Sequence, residues 1–211
     1  MRAVWERVGF ILRARTAGLK KFSADYATHN FPVWEKCLAH LRDREIDVLE
    51  IGSFEGRSAL FWMEFLRRSR LTCVDVFLSR DVEARFDQNI AEYRDRIAKL
   101  VMPSAAALPR LEQAGARFDL IYIDGSHRLM DVYRDSTLCW PLLKSGGILI
   151  WDDYEWTKPG RELDRPKPAI NHFLRQHASE LLELHRGYQI IVRKIRSSAL
   201  SEPGQAAGHC G

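Results

Sequence analysis

Apolar and polar positions switch between two periods along most of this 211-residue chain. Short apolar runs at 46–51, 71–76, 99–102, 118–123 and 147–152 are of strand length, and each predicts a buried β-strand. The stretches between and after them, near 57–68, 85–97, 105–114, 128–140 and 167–179, space their apolar residues three and four apart and predict helices. Regular strand–helix alternation predicts an α/β fold, an open and mostly parallel sheet with helices on both faces and right-handed crossovers. Near the C-terminus the rhythm changes. Residues 180–185 and 188–195 are two β-rich runs around Arg186-Gly187, the signal of an antiparallel hairpin. Ahead of the alternation, Arg2 to Leu41 reads as helical, with Val4, Trp5, Val8, Ile11 and Leu12 at helical spacing and Pro32 opening a second helix. The chain divides into an N-terminal helical extension (1–45), an α/β domain (46–196) and a small, polar tail (197–211) predicted to be disordered.

The first strand runs into Glu50-Ile51-Gly52-Ser53-Phe54-Glu55-Gly56-Arg57-Ser58. A strand that ends in a glycine turn and feeds a helix N-terminus is a ligand cradle in open α/β sheets. Here the spacing is Gly-x-x-x-Gly, with Phe54 where the dinucleotide fingerprint has a second glycine. That argues against a pyrophosphate pressed onto the loop, and so against an NAD-dependent oxidoreductase. Glu50 suits a cationic or hydroxyl-rich ligand better than a phosphate. Asp75 closes the second strand about 20 residues beyond the turn, where an acid takes the vicinal hydroxyls of a ribose. The fourth strand ends in Asp124-Gly125-Ser126-His127 and the fifth in Asp152-Asp153. Glu50, Asp75, Asp124, Asp152 and Asp153 therefore share the carboxyl-end rim, and so many like charges imply a cationic or hydrogen-bond-donating ligand. His127, with an ordinary pKa of about 6.5, suits a proton acceptor near neutrality. Its plainer role is to cap a helix or pair with Asp124, as the plainer role of Asp152 and Asp153 is to cap a turn.

In order and spacing, the Asp-Gly-Ser-His and Asp-Asp strand ends resemble class I S-adenosylmethionine-dependent methyltransferases, and more narrowly the small-molecule O-methyltransferases. The resemblance covers Ile46 to Ile195. It implies a Rossmann-like sheet ending in an antiparallel hairpin, with S-adenosyl-L-methionine as cosubstrate. Glu50, Gly52, Ser53, Gly56, Ser58, Asp75, Ser104 and Asp124 would surround the cosubstrate. Asp124, Asp152 and Asp153 would hold Mg2+ against a small-molecule hydroxyl acceptor, and His127 would be the general base. The turn Met102-Pro103-Ser104-Ala105 departs from the family's usual Gly- and Asp-containing one. Two alternatives stay open, a metal-independent methyltransferase of the same fold and a non-catalytic binding subunit built on it.

Composition narrows the partners. A net charge of +4 is too small to argue for nucleic acid, and Arg2, Arg7, Arg13, Arg15, Lys20 and Lys21 crowd one N-terminal segment that reads as a solvated helix face. Cys37, Cys73, Cys139 and Cys210 have no paired spacing, so neither a zinc site nor a disulfide framework follows. Val8 to Leu12, the longest N-terminal apolar run, is too short for a signal-peptide core or a membrane span. The expectation is a soluble cytoplasmic enzyme without a membrane or nucleic-acid partner, its N-terminal helices a candidate homodimer surface.

Overall fold

The computed structural model describes residues 20–159 and 164–195. The helix expected from Arg2 through residue 19 and the expected tail at 197–211 lie outside them.

Seven strands form one sheet: β1 Glu45–Ile51, β2 Arg68–Asp75, β3 Ile97–Val101, β4 Phe118–Ile123, β5 Leu143–Trp151, β6 Leu181–Arg186 and β7 Ile190–Lys194. Their order is β3-β2-β1-β4-β5-β7-β6. The first five run parallel, and β7 pairs antiparallel with both β5 and β6. Because β1 has β2 on one side and β4 on the other, the strand order reverses there, which opens a crevice beyond the carboxyl ends. Among the described residues six α-helices connect and flank the strands: α1 Phe31–Leu38, α2 Arg57–Phe65, α3 Arg80–Ile90, α4 Ser104–Gln113, α5 Leu129–Leu142 and α6 Pro166–Gln176.

The two-residue strand period sorts the sheet into two faces. Val48, Leu120, Tyr122, Ile148 and Ile150 point into one core with Trp34, Phe61 and Trp62. Leu49, Ile51, Ile121, Ile123, Leu149 and Trp151 point into the other, with Ile170 and Phe173 of α6. Helix α1 has Pro32 in its first turn, as expected, and is part of the core rather than an appendage. Trp34 is fully buried, 4.4 Å from the Trp62 ring, and donates its indole N–H to Gln189 Oε1 at 2.7 Å.

Three elements begin three or more residues earlier than expected. Strand β2 begins at Arg68 rather than residue 71, because buried Ser69 between exposed Arg68 and Arg70 continues the alternation. Helix α3 begins at Arg80 rather than residue 85, since Ser79 caps it by accepting from the Val82 N–H and Asp81 and Glu83 fill the first turn. Strand β5 begins at Leu143, its pairing with β4 shifted in register between Phe118 and Leu120. Among the described residues no helix is long and apolar enough to cross a membrane.

Candidate active site

The glycine turn is held by backbone geometry. Gly52 has φ +86° and donates its N–H to Val74 O at 2.9 Å. A Cβ there would sit 1.9 Å from the Asp124 carbonyl oxygen, so only glycine lets β1 and β4 close at this point. Gly56, at φ +83°, precedes α2 and packs against Phe86 and Ile90. Asp75 ties the turn to the next strand. Its Oδ2 accepts from the Phe54 N–H at 2.8 Å and its Oδ1 from the Phe77 N–H at 2.7 Å. Each carboxylate oxygen keeps a second lone pair for a ligand hydroxyl.

Glu50 departs from the expected rim. It shares the parity of Val48, so its side chain enters the core, fully buried, accepting from Trp62 Nε1 at 2.9 Å and Cys73 Sγ at 3.6 Å. Burial pushes its carboxyl above the ordinary range, opposed by the nearby Ser58 and Ser53 hydroxyls. The Ser53 hydroxyl lies near that carboxylate without completing a well-directed hydrogen bond. Ser53 and Ser58 are buried as well, so all three shape the turn from behind. Glu55, also buried, accepts from Ser23 Oγ at 2.7 Å and Arg85 Nη1 at 2.7 Å, tying the N-terminal segment to the turn.

At the ends of β4 and β5 two of the three expected metal ligands meet. The Tyr122 hydroxyl lies 2.9 Å from Asp124 Oδ2 and 2.5 Å from Asp152 Oδ2. Asn30 Nδ2 and the Asp153 N–H donate to Asp152 at 3.4 and 2.8 Å. Loss of solvation holds Asp124 well above the usual carboxylate range, reinforced by Asp152 and Asp153; burial also raises Asp152, against the Tyr122 hydrogen bond. Asp153 turns away. At φ +57° it lies within hydrogen-bonding distance of His127 Nε2, 2.6 Å, and accepts from the Tyr188 hydroxyl at 2.9 Å. The expected convergence of three carboxylates on one point is thus not preformed. Among the described residues no group of three or more His, Cys, Asp or Glu side chains is placed to hold a metal ion.

His127 carries its imidazole half-exposed, stacked on Trp156 with centroids 4.4 Å apart and planes 18° apart. The hydrogen bond to Asp153 raises its pKa above the ordinary value, against the opposing effect of burial. Asp124, His127, Asp152 and Asp153 line a shallow hollow with Val132, Trp151 and Pro166 as its apolar walls. Tyr154 does not belong to this wall. It is buried, with its hydroxyl bonded to Asn171 and Arg186. Ser104 stands at the carboxyl end of β3 but donates its hydroxyl proton to Asp135. Phe77 packs on Phe86 in the core, while Val76, next to Asp75 in the chain, is 47% exposed. Tyr122, Asp135 and Val76 are absent from the sequence reading; for Val76 the alternation past Asp75 was available as a signal.

These carboxyls make the fold pH-sensitive. Glu50, Asp124, Asp135 and Asp152 all have folded pKa values above their ordinary ones. The folded state then binds more protons than the unfolded one, so stability falls as pH rises from the ordinary carboxyl value through the folded values. In chelator, the melting temperature is expected to fall between about pH 5 and 7, and to fall less in Asp124→Asn. A flat or rising wild-type profile in thermal unfolding would contradict this.

A methyltransferase-domain family model matches residues 49–154. The chain is 26% identical over 164 residues to the mycinamicin VI 2''-O-methyltransferase of Micromonospora griseorubida, covering 68% of this chain and 37% of that protein. It is 31% identical over 117 residues to O-methyltransferase hkm8 of Aspergillus hancockii, covering 54% of this chain and 44% of that one. The chain thus spans less than half the length of either relative. The structure superposes on the MycE methyltransferase of the mycinamycin biosynthetic pathway, solved with Mg, SAH and mycinamycin VI, at a TM-score of 0.66 and 21% identity, over 92% of this chain and 56% of that one. This chain belongs to the methyltransferase-domain family, built on the class I S-adenosylmethionine-dependent fold.

Proposed function

We propose that this chain transfers the methyl group of S-adenosyl-L-methionine to a hydroxyl of a small-molecule acceptor. The observation that carries this is the His127–Asp153 pair beside Asp124 and Asp152, packed against the Gly52 turn in the crevice of the sheet. The turn shapes the methionine end of the cosubstrate pocket, and Asp75 accepts from the ribose hydroxyls. With Nε2 turned to Asp153, Nδ1 of His127 is the nitrogen left to take the acceptor proton as the oxygen attacks the methyl carbon in line and the sulfur leaves. Asp153 orients the ring and stabilises its protonated form. The rest is positioning, because a sulfonium is already a reactive donor.

The donor set also fits Mg2+. Asp124 and Asp152 are hard oxygen donors with no basic partner among the described residues, and the charges of Asp152 and Asp153 raise the Asp124 pKa. With Asp153 they would hold the ion, which when bound lowers the pKa of the acceptor hydroxyl. One observation favours a metal-independent version of the same chemistry: Asp153 is engaged by His127 and Tyr188 instead of facing the other two acids.

Calorimetry with S-adenosylhomocysteine tests the cosubstrate. Wild type is expected to bind, and Asp75→Ala to bind at least about tenfold more weakly, the loss of one charge-assisted hydrogen bond. No binding by the wild type defeats the proposal. A methyl-transfer screen across glycosides, phenols and other hydroxylated metabolites, with and without Mg2+, would identify the acceptor.

A further inference from the structure

Tyr188 takes no part in the methyl transfer itself, yet its hydroxyl reaches the Asp153 carboxylate. It sits in the turn between β6 and β7, where the Gly187 N–H donates to Gln189 O at 2.9 Å and the Tyr188 carbonyl accepts from the Tyr154 N–H at 2.8 Å. That second bond extends the β5–β7 pairing past Trp151 and Ile190 and sets Tyr188 beside Asp153. His29 meets the ring in a T-shaped contact, with centroids 6.2 Å apart. Asp153 then has one partner on each oxygen, the Tyr188 hydroxyl on Oδ1 at 2.9 Å and His127 Nε2 on Oδ2 at 2.6 Å. Asp124 and Asp152 meet instead at the Tyr122 hydroxyl. Turning Asp153 to join them gives up both of its own bonds.

We propose that Tyr188 is a positioning residue that sets how Asp153 is divided between two tasks, orienting the His127 ring and completing a cation site with Asp124 and Asp152. The inference rests on the cation-assisted form of the proposed methyl transfer. One side chain does not serve both tasks at once. With the His127 Nε2–H on Oδ2, the ring keeps Nδ1 free as an acceptor. With the carboxylate turned toward the other two acids, that orientation is lost. The Tyr188 hydroxyl is a neutral donor to a charged acceptor, and it weights the balance toward the histidine. A cation that needs Asp153 then meets a protein of which only a fraction is in the competent arrangement, and its apparent affinity is lowered by that fraction. Removing the phenol oxygen takes away one of the two restraints on Asp153, so the competent fraction rises. Loosening by one hydrogen bond therefore strengthens cation binding, the opposite of what loss of a purely structural contact does.

Calorimetric titration of the full chain with Mn2+ tests this, with S-adenosylhomocysteine titrated into the same samples. Tyr188→Phe is expected to bind Mn2+ about tenfold more tightly than wild type, the worth of one hydrogen bond to a charged group, and to bind S-adenosylhomocysteine equally well. Phenol and phenyl are both neutral, so the gain reports the hydrogen bond and not a change of charge. The variant loses only a hydroxyl from a ring that is 43% exposed, so the fold is expected to hold. In an Asp153→Asn background the same substitution should bring no gain, which separates action through Asp153 from a general loosening of the hairpin. Equal or weaker Mn2+ binding by Tyr188→Phe, a gain that persists beside Asp153→Asn, or no Mn2+ binding by either wild type or Tyr188→Phe overturns the assignment. S-adenosylhomocysteine bound in those samples leaves the methyltransferase reading standing without it. A wild type that binds no S-adenosylhomocysteine overturns that reading and the assignment with it.

Discussion

Replacing His127 with alanine is expected to slow turnover by about 10²–10⁴-fold, the size of a positioned general base, while S-adenosylhomocysteine binding stays unchanged. Geometry supports so large an effect. The imidazole is held at both a ring edge and a ring face, by Asp153 at 2.6 Å and by the stacked Trp156. A base fixed in this way loses little freedom when the acceptor arrives. Asp153 raises the pKa of the ring, so the free enzyme holds more imidazolium at a given pH than an isolated histidine would. Wild-type kcat/KM should therefore climb with pH through a value above about 6.5. In His127→Ala that limb should vanish, and part of the lost rate should return at high pH as the acceptor hydroxyl ionises unaided. Chelation separates the role of the acids from that of the base. If Asp124, Asp152 and Asp153 hold a cation, excess chelator abolishes turnover in the wild type and spares cosubstrate binding. Full turnover in chelator moves the three acids to structural duty, with Asp153 serving the histidine alone. A His127→Ala enzyme of wild-type rate and pH profile removes the base.

The parts of this site legible in the sequence are those written in local pattern. Strand periodicity located β1 through β5 because each carries a short apolar run, and β1 and β4 are buried on both faces; the ends of those runs located Asp75, Asp124, Asp152 and Asp153. Gly52 was legible because a positive φ and a close backbone approach leave no alternative residue. Facing and long-range pairing were not. Glu50 sits one residue before the end of β1, and the strand's parity sends it into the core against Trp62 instead of to the rim. Tyr122 reads as one more apolar strand residue, yet its hydroxyl lies between the Asp124 and Asp152 carboxylates. Asp135 reads as a polar position on an amphipathic helix, although its partner Ser104 lies 31 residues away. In Asp152-Asp153 the adjacent side chains diverge because Asp153 takes a left-handed turn, which no spacing rule signals. Sequence spacing brought the acids to one rim, and the turn divided them between two tasks.

Gly52→Ala is expected to destabilise the fold by more than about 4 kcal/mol, in the range reserved for severe steric or backbone errors, or to prevent folding altogether. Two separate penalties meet at this residue. The first is conformational: φ is +86°, where a Cβ costs about 1–2 kcal/mol. The second is collision. The new Cβ would lie 1.9 Å from the Asp124 carbonyl oxygen, 2.5 Å from its carbonyl carbon and 2.8 Å from Gly125 Cα. All three are backbone atoms, so no rotamer change relieves the contact. The strand ends themselves are pinned, with the Asp124 N–H donating to Ile51 O at 2.8 Å and Gly52 N–H to Val74 O at 2.9 Å. Relief requires parting β1 from β4 at the point where Asp124 enters the site, so any folded protein that remains should also lose S-adenosylhomocysteine binding. Gly115→Ala isolates the first penalty, because Gly115 has φ +73° and nothing within 4 Å of its would-be Cβ. Urea unfolding of the two variants should show Gly115→Ala losing only about 1–2 kcal/mol. If Gly52→Ala loses no more than Gly115→Ala, the close approach of β1 and β4 is not what holds this glycine in place.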